Sequence, residues 1–150
     1  MDAPSLDFAE SGPGGAVLFY GVDLAPIARI EHAITRWGNR FLQRVWTPGE
    51  LHDCGGRSHS LAARWAAKEA TAKALGVGVR GVGAHAVVGA LAVGWHEIEV
   101  VRDAQGKPGL RLHGAAAARA RLLGWHAAAL SLSHTHELAL ASVVAWGGGA

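Results

Sequence analysis

The stretch RWAAKEATAKALG, residues 64–76, sets three cations, Arg64, Lys68 and Lys73, and one carboxylate, Glu69, among alanines. On a helical wheel these four charges fall in one half, together with Leu61, Trp65 and Leu75, while Ala63, Ala67, Ala70 and Ala74 fill the other. An ordinary surface helix keeps its large apolar residues apart from its charges. Here they interleave, and the alanine side permits close packing, so both faces are candidates for burial. Burying such charges is costly unless they are paired or bind something. The excess positive charge suits a phosphate or another anionic cofactor. The carboxylate suits a divalent metal bridging to that phosphate. The same pattern also fits a solvated face on which Glu69 and Lys73 form a simple i,i+4 pair.

Three further features carry candidate chemistry. Asp23 ends a β-rich run, AVLFYGVDL (16–24), where an acid either ligates a metal or caps the next helix near Pro26 and Ile27. Paired with Glu69 it would supply two hard oxygen ligands, the usual way of holding Mg²⁺ beside phosphates. Arg29, Arg36, Arg40 and Arg44 fall within an arc of roughly 80° if one helix runs through them. Such a stripe beside the apolar residues Ile30, Ile34, Trp37, Phe41 and Val45 fits a docking surface for an acidic partner, or plain solubility charge. Finally, LSLSHTHE puts His134 and Thr135 at a strand end, and DAQGKP offers backbone N–H groups and Lys107. Both also read as ordinary turn chemistry.

The elements that must position these residues follow from local pattern. A strand over 16–24 leads into a helix over 25–37, with Pro26 in its first turn and Gly38-Asn39 as its stop or bend. RFLQRVW (40–46) continues helically to a turn at Thr47-Pro48-Gly49. A helix from about Ser60 to Leu75 ends at Gly76, and the glycine-rich segment after it predicts a loop with one short strand. WHEIEVVRD and GLRLHG flank AQGKP as a hairpin. AAAARARLLG is a short helix closed by Gly124, and AAALSLSH and LALASVVAW are two strands joined at Thr135-His136. This order predicts an α+β fold with a mostly antiparallel sheet. A single domain is expected over 16–146, with a disordered extension at 1–15 and a frayed tail at 147–150.

Composition narrows the function classes. The chain has 150 residues, half of them hydrophobic and 17% charged, which suits one globular domain with a real core. A net charge of +2 is less than a dedicated nucleic-acid binder usually shows. Cys54 is the one cysteine, so an internal disulfide is impossible, which fits a reducing cytosol. The N-terminus lacks the basic and apolar regions of a signal peptide, and no apolar run is long enough to span a membrane.

Taken together, GVDLAPIARI, RFLQRVWTPGEL, RWAAKEATAKALG, GKP and LSLSHTHELALASVV occur in one order across residues 21–145. In that order the chain resembles the holo-acyl-carrier-protein synthases, the small class of 4′-phosphopantetheinyl transferases. The departures are slight: Trp65 stands where phenylalanine is usual, and Trp46 where an aliphatic residue or phenylalanine is usual. The extension before the first strand is longer than the family needs. The resemblance implies a cytoplasmic homotrimer that moves the phosphopantetheine arm of coenzyme A to a serine of an apo acyl carrier protein. Adenosine 3′,5′-bisphosphate is the implied second product. Asp23 and Glu69 match the family's Mg²⁺ ligands, Lys73 a phosphate contact, and Arg64 a contact to the nucleotide end. His134 and Thr135 match residues that meet coenzyme A from a neighbouring subunit, and Lys107 lies in the matching GKP. Arg29 matches the carrier-docking arginine, and Arg36, Arg40 and Arg44 fit that role more loosely. Glu69 itself or a water on the metal would take the serine proton. The same chemistry serving polyketide or nonribosomal peptide carriers, a non-catalytic carrier-binding module, and a nucleotide hydrolase are the competing expectations.

Overall fold

The computed structural model describes residues 15–81 and 92–148. The expected extension lies outside these residues save for Gly15, as does most of the glycine-rich loop. Strand β1 (Ala16–Pro26) leads directly into α1 (Ile27–Trp37), followed by α2 (Asn39–Val45), α3 (Pro48–Cys54) and the long α4 (Ser58–Leu75). Two-residue strands β2 (Gly78–Val79) and β3 (Ala92–Val93) pair in parallel. After a 3₁₀ turn (Trp95–Glu97) come β4 (Ile98–Arg102), β5 (Pro108–Leu112), α5 (Gly114–Leu122), β6 (Trp125–His134) and β7 (Leu138–Gly148). The main sheet has the order β1-β7-β6 and is antiparallel throughout, and β4 and β5 form the expected antiparallel hairpin. This is the α+β architecture the pattern predicts.

The sheet wraps one face around α4. Alternation along β7 turns Ala139, Ala141, Val143 and Ala145 inward, all fully buried. Thirteen residues of α4, its alanines among them, are buried, so this helix has no solvated side of ordinary width. The alanines do what their size allows: they bring backbone close to backbone. At Gly21, on β1, an added Cβ would collide with the backbone carbonyl oxygen of Ala70 on α4. That contact sets how near β1 lies to the helix. Gly76, in the left-handed region at φ 67°, then ends α4, with its N–H reaching the carbonyls of Ala72 and Lys73.

Gly38, at φ 56° and ψ −139°, stops α1 where the pattern predicts a stop or bend, so the four arginines are divided between α1 and α2. Other local expectations are corrected. Trp37, expected on the buried face, is instead 55% exposed at the end of α1, under the Arg36 guanidinium and tilted against Phe41. Thr47-Pro48-Gly49 is not a turn but the start of α3. Thr47 accepts from the Glu50 N–H, and Glu50 accepts from the Thr47 N–H, a complete capping box with Pro48 in the first turn. The stretch expected to fray is in part a strand, since Gly147 and Gly148 pair with Val17 and Ala16.

Lys68 is paired inside the protein. Its side chain is fully buried, and its Nζ donates to Glu50 Oε2 at 2.8 Å and to the carbonyls of Trp95 at 2.8 Å and Ile98 at 2.6 Å. Glu50 accepts in addition from the Val100 N–H. Burial pulls the ammonium below its usual range, and the Glu50 carboxylate opposes that pull. One of the three cations of the motif therefore belongs to the core. It ties α3, α4 and the start of β4 together. Cys54, also fully buried, has its thiol pushed up to about 11 by desolvation, which keeps it protonated and inert.

Candidate active site

The chemistry-bearing residues gather in two places rather than one. The first lies where β1 crosses α4. Lys73 Nζ is 3.0 Å from Asp23 Oδ1 and donates also to the backbone carbonyl of Val22. Glu69 lies one helical turn before Lys73, on the same face. Its proton affinity is raised, first by partial burial and then by the charge of Asp23, while Lys73 and Arg29 lower it. Glu69 thus feels the charges of Asp23, Lys73 and Arg29. Two carboxylates from a strand and a helix meet an ammonium and a guanidinium here.

This group has the donor chemistry of a hard divalent cation. Asp23 and Glu69 offer carboxylate oxygens, and the Lys73 ammonium already sits against one of them as a positive charge. Among the described residues no cluster of three or more His, Cys, Asp or Glu side chains could enclose a metal. A cation held by these two acids would complete its shell with water and with oxygens of a bound substrate. That open, oxygen-rich arrangement fits Mg²⁺.

The second place is a basic cavity of about 370 Å³ at the other end of α4. Arg57, His59, Arg64, Arg102 and His134 line it, with Ala63, Pro108 and Leu132 as an apolar wall, and none of the described carboxylates lines it. Arg64 is only 5% exposed, and its Nε is buried with no hydrogen-bond partner among the described residues. A buried guanidinium with an unused donor beside a cavity is suited to an anion. His134 stacks on His59 with ring centroids 4.4 Å apart. An adjoining cavity of about 600 Å³ continues past His134, Thr135 and His136 to Ile27 and Glu31 on α1. Thr135 Oγ1 also holds the β6–β7 turn by accepting from the Glu137 and Leu138 N–H groups.

Arg64, expected to group with Glu69 and Lys73, lines the basic cavity instead. Five residues of helix separate it from Glu69, a rotation of roughly 140°. Gly106 and Pro108 line the same cavity, while Lys107 between them is exposed and is not among its lining residues. Of the four candidate docking arginines, Arg29 sits beside the acidic group, Arg36 covers Trp37, and Arg40 is exposed on α2. Arg44 donates to the carbonyl of Gly81 and faces the glycine-rich loop. Sequence reasoning missed Arg57, His59 and Arg102, which converge on the cavity from the start of α4 and the end of β4. Their positive charge was legible, but their convergence was not.

Residues 20–141 match the 4′-phosphopantetheinyl transferase superfamily. A holo-[acyl-carrier-protein] synthase of Chloroflexus aurantiacus is 60% identical over 137 residues, spanning 88% of this chain and all of that relative. The holo-[acyl-carrier-protein] synthase of Neisseria meningitidis superposes with a TM-score of 0.69 at 35% identity, covering 85% of this chain and 96% of that one. The Helicobacter pylori synthase in complex with coenzyme A does so with a TM-score of 0.68 at 28% identity, covering 84% and 98%. The chain belongs to the 4′-phosphopantetheinyl transferase superfamily, and within it to the holo-[acyl-carrier-protein] synthases. It is an enzyme of the transferase class.

Proposed function

We propose that the protein transfers the 4′-phosphopantetheine group of coenzyme A to a serine of an apo acyl carrier protein, releasing adenosine 3′,5′-bisphosphate. The observation that carries this reading is the Asp23–Lys73–Glu69 group on β1 and α4, in a chain 60% identical to a named synthase. The Helicobacter pylori relative's complex with coenzyme A supports the co-substrate. Asp23 and Glu69 are the residues that would hold Mg²⁺, which when bound neutralises charge developing on the pyrophosphate. The serine Oγ attacks the β-phosphorus, the bond from that phosphorus to the bridging oxygen breaks, and the electron pair leaves on that oxygen. Lys73, long and half-exposed, has the reach to follow this charge. Glu69, one helical turn before Lys73, would take up the serine proton. Arg64 and His134 would hold the nucleotide end. The direct test is the intact mass of a purified apo carrier after incubation with this protein, coenzyme A and Mg²⁺. A gain of one phosphopantetheine group is expected, and an unmodified carrier with coenzyme A consumed would point to hydrolysis instead.

Two surface features support the partners. Arg29 presents positive charge beside the acidic group, and Arg36 and Arg40 are exposed further along α1 and α2, which suits an acidic carrier delivering its serine. Arg29→Glu should raise the carrier KM at least about tenfold, with little change for coenzyme A, and high salt should mimic it. Arg44→Ala, already engaged with Gly81, should leave that KM within about twofold. A carrier KM indifferent to both Arg29→Glu and salt would place docking elsewhere.

The outer face of the sheet exposes Leu18, Tyr20, Val22 and Leu24 on β1 beside Leu138, Val144 and Trp146 on β7. A contiguous apolar sheet face of this kind marks a protein interface. It fits the homotrimer, in which the acidic group of one subunit would meet the basic cavity of the next. Closed head-to-tail symmetry then gives three equivalent sites. Glu69→Gln and Arg64→Ala, each inactive alone, should regain part of the activity when refolded together, because mixed trimers contain intact composite sites. An active monomer by light scattering, or no recovery despite proven mixing, would reject the shared site.

A further inference from the structure

Lys73 is the exposed partner in the acidic group, and its contacts are peculiar for a residue that would bind phosphate. Its side chain is 54% exposed, yet the ammonium turns back onto the protein, 3.0 Å from Asp23 Oδ1 and 3.0 Å from the Val22 carbonyl oxygen. Asp23 is only 18% exposed, so the ammonium is a principal counter-charge at a carboxylate with limited access to water. The other carboxylate, Glu69, feels both the negative charge of Asp23 and the positive charge of Lys73. Two acids brought together by the β1–α4 contact need a cation between them, and the chain supplies one of its own.

We propose that Lys73 is an internal counter-ion that competes with the divalent metal for Asp23, and is displaced towards the anionic substrate when the metal binds. This inference rests on the metal reading given above. An ammonium and a divalent ion on one carboxylate would stand within roughly 5 Å of each other, close enough for strong repulsion in a partly desolvated site. The flexible four-carbon stem of lysine lets the charge leave Asp23 at little structural cost. Its next partner would be substrate phosphate, which arrives with the opposite sign. Metal binding, Lys73 movement and substrate binding are thereby coupled through one side chain. In the absence of substrate, metal affinity is held down by the lysine that later serves the reaction.

The test is metal binding in the absence of coenzyme A and carrier, with Mn²⁺ alone as the probe and free ion counted by electron paramagnetic resonance. Lys73→Met should bind Mn²⁺ roughly tenfold tighter than the parent or more, since a unit charge beside the site is removed. Lys73→Gln, which keeps a donor towards Asp23 but not the charge, should behave similarly. Arg29→Gln removes a cation that Glu69 feels through space, and should change the affinity by less than about threefold. Unchanged or weaker binding in both lysine variants would overturn the inference, as would an equal gain in Arg29→Gln. Asp23→Asn and Glu69→Gln separate this failure from a deeper one. If they abolish Mn²⁺ binding while the lysine variants leave it unchanged, the metal site stands and only the competition falls. If Asp23→Asn leaves binding intact, the metal reading and the inference fall together. Matching thermal melts of all variants exclude unfolding as the cause.

Discussion

Glu69→Gln should lower kcat by at least about a hundredfold while the protein melts at its usual temperature. Glutamine keeps the shape, the length and one carbonyl oxygen of the carboxylate, so packing on α4 is preserved. What disappears is the negative charge, and with it the second hard ligand beside Asp23. The loss should lie in kcat rather than in the KM for coenzyme A, because the basic cavity of Arg57, Arg64 and Arg102 is untouched. Steady-state kinetics with saturating carrier, run across a range of Mg²⁺ concentrations, make the check. Turnover within about threefold of the parent at limiting Mg²⁺ would remove Glu69 from the reaction.

Lys68→Met should destabilise the fold by about 3–5 kcal/mol, because it strands the fully buried Glu50 carboxylate without its cation. Native stabilities are typically about 5–15 kcal/mol, so this single change would remove a large share. In a chain of this size the melting temperature should fall by roughly 6–20 °C. Glu50→Leu should be comparably harmful: it leaves the Lys68 ammonium buried and takes the acceptor from the N–H groups of Thr47 and Val100. Urea unfolding of the two single variants measures both. A change below about 1 kcal/mol in either would show that α3, α4 and β4 are joined by packing alone. The double variant should recover part of the loss, because no charge is then left unpaired, though the two N–H groups stay without their acceptor.

Much of the fold was legible because its signals are local. The valine and aromatic β-formers of β1, the turn residues of the β4–β5 hairpin and the helix stop at Gly76 each declare themselves within a few residues. The capping box of α3 was equally local, yet Pro48-Gly49 masked it; Thr47 with Glu50 three residues on was the signal. Trp37 was misplaced because periodicity assumes one helix axis, and Gly38 changes that axis.

The site was legible in its residue types more than in its layout. Asp23 and Lys73 lie 50 positions apart in sequence, and only the packing of β1 on α4 brings them together. Arg64 did not join them, because half a helical wheel is too coarse to separate residues 140° apart. Lys68 counted towards the motif's excess positive charge, but it is neutralised by Glu50, which lies 18 residues away with no local sign of the pairing. Arg102 meets Arg57 and His59 only through tertiary folding.

The contact of Gly21 with the Ala70 carbonyl carries a consequence for mutational tolerance. Ordinary cores are most sensitive where their largest side chains sit, because truncation opens cavities. Here the separation of Asp23 from Glu69 and Lys73 is fixed by backbone lying on backbone, with glycine and alanine as the spacers. One added methyl at Gly21 would push the strand and its carboxylate away from the helix before the core lost any volume. In a saturation library the deepest depletion at this layer should fall on the smallest side chains, Gly21, Ala67, Ala70 and Ala74, and growth rather than truncation should be the forbidden direction.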